Sequence, residues 1–118
     1  MPIQTYRDLD VWKKAMALVG QIYTLTSPYP PEERFGLTSQ IRRAAVSVPA
    51  NIAEGHERKH KGDYLHHLSI ARGSLAEVET HLLLSVQLGF TTDERIAPIW
   101  ETAQDVGKML NRLISSLQ

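Results

Sequence analysis

Seven apolar residues near the end of the chain, Ile96, Ile99, Ala103, Val106, Leu110, Leu113 and Leu117, alternate at spacings of three and four over six intervals. That period returns every side chain to one stripe of an α-helix, and a stripe this long is the seam of left-handed helix packing. Such a helix draws its stability from partners that cover the stripe, because helical propensity alone leaves a segment marginal in water. The rest of the chain supplies three partners.

The first segment repeats Leu9, Trp12, Met16, Val19 and Tyr23 at the same spacings, with Asp8 as the expected N-cap. Ser27-Pro28-Tyr29-Pro30-Pro31 stops it, since proline lacks the backbone donor and restricts the residue before it. A second segment opens at Pro31, with Glu32 and Glu33 near the positive helix end, and carries Leu37, Ile41, Ala44, Val48 and Ile52. Pro49 falls inside it and removes one backbone hydrogen bond. The third segment carries Tyr64, Leu68, Ala71, Leu75, Val78 and Leu82, and Gly89 stands where a C-terminal cap belongs. Thr91-Thr92-Asp93-Glu94 opens the fourth with the Thr-x-x-Glu spacing of a capping box. No stretch alternates like a strand. The pattern predicts an all-α, antiparallel up-down four-helix bundle, one domain over residues 1–118 with helices at about 8–26, 31–54, 63–88 and 93–117.

Composition removes several classes of function. With no Cys, disulfide scaffolds, thiol catalysis and Cys-based zinc sites are excluded. Arg7, Asp8, Asp10, Lys13 and Lys14 fall within the first twenty residues, so no signal-peptide core is read there. No apolar run reaches the ~20 residues of a membrane span, and a cytoplasmic protein is expected. Thirteen Lys and Arg balance thirteen Asp and Glu, which argues against a surface that neutralises many phosphates.

The apolar pattern is wider than a single bundle needs. The first helix has a second line, Val11, Leu18, Ile22 and Leu25, and the third has Leu82-Leu83-Leu84, Val86 and Leu88 pointing in nearly every direction. One face of each fills the core, and the other is left for a partner, expected to be further copies of the chain in a cyclic homo-oligomer.

Three sets of residues could carry chemistry. His56-Glu57-Arg58-Lys59-His60 matches the H-E-x-x-H zinc string, whose two His must share one helix face. Here Gly55 and Gly62 bracket it as a connection, Arg58 and Lys59 put cations beside any metal, and a third ligand must come from Glu77, Glu79 or His81. A solvated connection is expected, with no metal and no cofactor. The second set is the local charge bias between Arg42 and Arg72. There Arg42, Arg43, Arg58, Lys59, Lys61 and Arg72 stand against Glu54, Glu57 and Asp63, a surface that could meet phosphates, above all when repeated around a ring. The third set is polar residues within apolar helices, Gln40, Arg43, Asn51, Glu54, Ser74 and Glu77, read as inter-helix hydrogen bonds that fix register. A Glu54–Glu77 carboxylate pair is conceivable, but no Glu-x-x-His pair, phosphate loop or nucleophile–base arrangement accompanies it, and no enzyme is expected.

The stretch from Gly36 to Gly55, running Gln40-Ile41-Arg42-Arg43 to Asn51-Ile52-Ala53-Glu54-Gly55, resembles the signature of a known family. It is similar to the four-helix bundle proteins encoded in bacterial 23S rRNA intervening sequences, labelled S23 ribosomal proteins. Leu9-Asp10-Val11-Trp12, Pro30-x-Glu32-Glu33, Gly73-Ser74-Leu75-Ala76-Glu77 and Glu79-Thr80 fit as well, so the resemblance spans nearly the whole chain. It implies a bundle that assembles as a ring, typically a pentamer, with no attached enzymatic activity. It also implies kinship with the accessory variability determinant protein of diversity-generating retroelements, a basic pentamer that binds nucleic acid and a reverse transcriptase. Arg42, Arg43, Asn51, Glu54, Gly55, Arg58, Ser74 and Glu77 match signature positions. This chain departs from that basic relative in being neutral. The expected function is a non-catalytic oligomeric bundle that binds structured RNA or a ribonucleoprotein through the Arg42–Arg72 end. The alternative is an adaptor that holds a protein, such as a polymerase or reverse transcriptase, without touching nucleic acid.

Overall fold

Leu9, in extended conformation, passes the chain from a 3-10 turn at Tyr6–Asp8 into the first helix, α1 (Asp10–Thr26), in a computed structural model that describes residues 4–118. Residues 1–3 of the expected domain lie outside it. Asp8 therefore caps the preceding turn and not α1. Its carboxylate accepts from the Gln4 and Thr5 backbone amides at 3.0 and 3.1 Å, in a reciprocal box with the Thr5 hydroxyl. Those two backbone bonds hold the Asp8 carboxyl below the usual aspartate value.

The second helix, α2 (Leu37–His56), starts later than the proline signal suggests. Pro31–Glu33 forms a separate 3-10 turn, and Gly36 (φ −107°, ψ −118°) breaks the chain before the helix begins. The Glu33 carboxylate then reaches forward to accept from the Leu37 amide at 3.0 Å, which satisfies one of the orphan donors of the first turn. The third helix, α3 (Lys61–Gln87), follows a four-residue connection, and the fourth, α4 (Asp93–Leu117), is capped by the Thr92 hydroxyl, which accepts from Arg95 N. With Thr92 as the cap, the third helical position is Arg95, so the expected Thr91–Glu94 box does not form.

Each helix packs on two others: α1 on α2 and α4, and α3 on α2 and α4, with no approach between α1 and α3 or between α2 and α4. The molecule is four-cornered, entirely helical among the described residues, and elongated at 43 × 25 × 20 Å. The core is drawn from all four corners: Leu18 and Ile22, Ile41, Val48 and Ile52, Leu68, Val78 and Leu82, then Val106 and Leu110, all fully buried. Each such side chain contributes about 1.5–3 kcal/mol of burial. No helix is long and apolar enough to cross a membrane.

One sequence expectation is reversed. In α1 the buried line is Val11, Ala15, Leu18, Ile22 and Thr26, whereas Met16 and Tyr23 from the expected core line are 47% and 43% exposed. The bulkier line instead flanks the core, with Leu9, Trp12 and Val19 partly buried against it and Met16 and Tyr23 turned outward. There Trp12 meets Tyr6 edge-to-face at 5.4 Å, and the Arg42 guanidinium lies 4.5 Å from the Tyr23 ring centroid. Small Ala15 and hydrogen-bonded Thr26 suit the tight interior better.

Candidate functional site

The α2–α3 pair gathers most of the signature polar residues. Going up α2, Ser47, Asn51 and Gly55 meet Ser74, His67 and Tyr64 in turn, so numbering falls along α3 as it rises along α2. Position 55 sets how close the two helices come. A Cβ there would lie 2.8 Å from His67 Cβ and 3.3 Å from the Tyr64 backbone oxygen, so only glycine lets α3 cross at this height.

Above that crossing runs one continuous hydrogen-bonded line. The Ser47 and Ser74 hydroxyls are 2.8 Å apart, and Asn51 Nδ2 donates to Ser47 O at 2.9 Å and Ser47 Oγ at 3.0 Å. With its amide nitrogen committed, Asn51 turns Oδ1 toward His67 Nδ1 at 3.0 Å. The network thus assigns the hydrogen to Nδ1 and leaves Nε2 as the open position of that imidazole. Nε2 faces Glu54 Oε1 at 3.9 Å, and the same oxygen accepts from Arg58 Nη2 at 2.9 Å. Asn51 and Ser74 each make a side-chain hydrogen bond across the α2–α3 pair. Ser47 and His67 were not singled out, although Ser47 stands four residues before Asn51, the spacing that lets an Asn amide bond back along a helix.

Gln40, Arg43 and Glu77 are exposed and join Ser47 and Ser74 around a shallow cleft of about 280 Å³. The register places Glu77 beside Gln40 and Arg43, whereas Glu54 sits beside His67. The two carboxylates are therefore separated by about ten residues of helix, or ~15 Å, too far to share a proton or a substrate atom.

His56 ends α2 and rests on Tyr64 with ring centroids 5.8 Å apart and planes at 87°, while His60 stands in the connection as the N-cap of α3. The two histidines therefore do not share a helix face. Tyr64 is half-buried here, and burial raises its phenol above the ordinary tyrosine value.

The six cations expected to form one basic end are dispersed. Arg42 Nε donates to Thr26 Oγ1 at 2.9 Å, at the far end of α2, about 20 Å from the α2–α3 connection by helical rise. Arg43 faces the α2–α3 cleft, and Arg72 lies with Leu65, Ile114 and Gln118 on the α3–α4 side. Only Arg58, Lys59 and Lys61 share the connection, where Glu54, Glu57 and Asp63 match them in number. Phe35 also went unremarked in the sequence. It is 87% exposed in the α1–α2 connection, and an aromatic between Arg34 and Gly36 was its signal.

Comparisons with known proteins agree with the sequence signature. The family described as 23S rRNA-intervening sequence protein matches residues 7–112. A solved protein of unknown function from the S23 ribosomal protein family of Bacteroides thetaiotaomicron VPI-5482 superposes with a TM-score of 0.79 at 25% identity, covering 88% of this chain and 97% of that one. A search of curated proteins finds no match. The fold, the matched span and the Gln40-to-Gly55 signature lead to one conclusion: this chain belongs to the 23S rRNA-intervening sequence protein family.

Proposed function

We propose that the chain is a non-catalytic scaffold: an antiparallel up-down four-helix bundle that assembles with copies of itself into a ring and holds a macromolecular partner. Connections of only four and five residues between α2 and α3 and between α3 and α4 support the up-down path, since they leave no length for a return crossing. The observation that carries the assembly is the apolar surface left outside the core. Met16, Tyr23, Phe35, Val46, Ile70, Leu83 and Leu88 are 39–87% exposed and come from three of the four helices and two connections. A bundle that worked alone would be expected to keep this surface polar. Family resemblance makes a pentamer the first expectation.

The partner is a protein. Ser47, Asn51, His67 and Ser74 of the α2–α3 pair are engaged with one another, and the dispersal of Arg42, Arg43 and Arg72 speaks against a single phosphate-binding surface built from them. The family's name supports a second reading, in which Lys59, His60 and Lys61, all exposed at one tip, contact RNA as a group repeated around the ring. Titrating structured RNA at about 50 mM and 200 mM salt separates the two, because phosphate contacts lose orders of magnitude in affinity across that range. The adaptor reading expects no saturable binding at either salt. Tight low-salt binding that Lys59→Ala with Lys61→Ala abolishes would overturn it in favour of RNA.

A further inference from the structure

At the end of the molecule where α1 stops and α4 starts, a groove of about 690 Å³ opens between these two helices, lined by Ala17, Gly20, Leu25, Pro98 and Ile99. Small Ala17 and Gly20 make its floor open, and nothing lies within 4 Å of where a Gly20 Cβ would stand. The same end carries Phe35, the most exposed of the large apolar side chains among the described residues, on the turn just before α2. A Tyr29–Phe90 ring contact at 5.6 Å ties the α1–α2 and α3–α4 connections together, which keeps Phe35 and the groove at one height along the bundle. They do not share a side. The groove lies between α1 and α4, and Phe35 stands two residues before the start of α2, which packs on α1 and α3 and not on α4.

The geometry points to a knob and its hole: Phe35 of one copy of this chain enters the α1–α4 groove of the next copy. This rests on the self-assembly proposed above and names the surfaces that perform it. A closed ring needs a head-to-tail contact whose two halves differ and sit at one level, because rotation about the ring axis preserves height. Phe35 and the groove meet both conditions. Their charges agree too. The Arg34 guanidinium lies 5.4 Å from the Phe35 ring centroid, and exposed Glu32 is close by in sequence, while exposed Glu94 and Arg95 stand on the α4 side of the groove. Each surface thus offers one charge of either sign to the other, Arg34 and Glu32 on the knob and Glu94 and Arg95 at the groove, which argues for a second copy over a foreign apolar segment. An aromatic anchor flanked by an arginine is also the composition of an interface hot spot.

The test uses two single variants, neither of which disturbs the core. Phe35→Ser removes an exposed side chain, and Gly20→Trp fills the groove while exchanging a helical glycine for a better helix former. Circular dichroism and melting temperature are expected to match the wild type, and light scattering gives the mass of each. Each variant alone is expected to fall to the 13.3 kDa chain, with self-association weakened about 30-fold or more, the hot-spot threshold of ~2 kcal/mol. Mixed at equal concentration, the two are expected to form a pair of twice the chain mass, because Phe35 of the Gly20→Trp protein meets an intact groove on the Phe35→Ser protein. An assembled wild type whose variants keep its mass would overturn the knob and leave the ring reading standing. So would two dissociated variants that fail to pair. A monomeric wild type would overturn both readings and give the groove to a foreign partner.

Discussion

At position 55 the absence of a side chain decides how near two helices come. Alanine there would push its methyl to 2.8 Å from His67 Cβ and 3.0 Å from Tyr64 Cδ1, and both of those atoms belong to the helix that must cross. Gly55→Ala is expected to lower stability by about 1–3 kcal/mol, the usual cost of overpacking, despite its better helical propensity. A fall in the urea midpoint with an unchanged slope checks this, and an unchanged or raised midpoint would contradict it. The need for glycine at 55 was not legible in the sequence, because it is created by α3 and not by neighbours in the chain. The same holds for His67, whose role depends on the register that brings it to Asn51. Asn51 and Ser74 were legible, because a polar side chain on an otherwise apolar stripe needs a partner wherever the stripe packs.

At the scale of the elements, four helices could be read from the sequence because apolar residues at three- and four-residue spacing leave few other folds open. The C-terminal end of α3 was legible from Gly89, whereas the N-caps expected at Asp8 and Thr91 were each one residue early. Gly89 sits at φ 79°, with its own amide bonded to Val86 O at 3.0 Å and that of Phe90 to Ser85 O at 2.9 Å, the paired bonds of a Schellman cap. Gly89→Ala is expected to cost about 1–2 kcal/mol, since the left-handed conformation crowds a Cβ even where space is open. Thermal unfolding checks it, and a cost below a few tenths of a kcal/mol would mean the cap is dispensable. The core face of α1 was not legible. Its two apolar lines are one residue apart, and periodicity alone does not say which of them faces the core. Packing decides it: where helices meet closely the small line goes inside, and the aromatic line is left to cover the flank beside Arg42.

For the whole molecule, a neutral charge total seemed in the sequence to conceal a basic end. A run of thirty-one residues, however, is not a place in a helical protein, because α2 carries Arg42 away from the α2–α3 connection and α3 carries Arg72 back to the α3–α4 side. Arg42, bonded to Thr26, stands about 20 Å by helical rise from the connection that holds Arg58, bonded to Glu54. What the surface does carry is seven large apolar side chains that are 39–87% exposed among the described residues, the surface the proposed assembly would cover. The proposed scaffold therefore depends first on self-assembly. Light scattering on the intact chain, over a dilution series from high to low micromolar concentration, measures this directly. The expected mass is a stable multiple of 13.3 kDa, fivefold for a pentamer. A mass of 13.3 kDa at every concentration would contradict it.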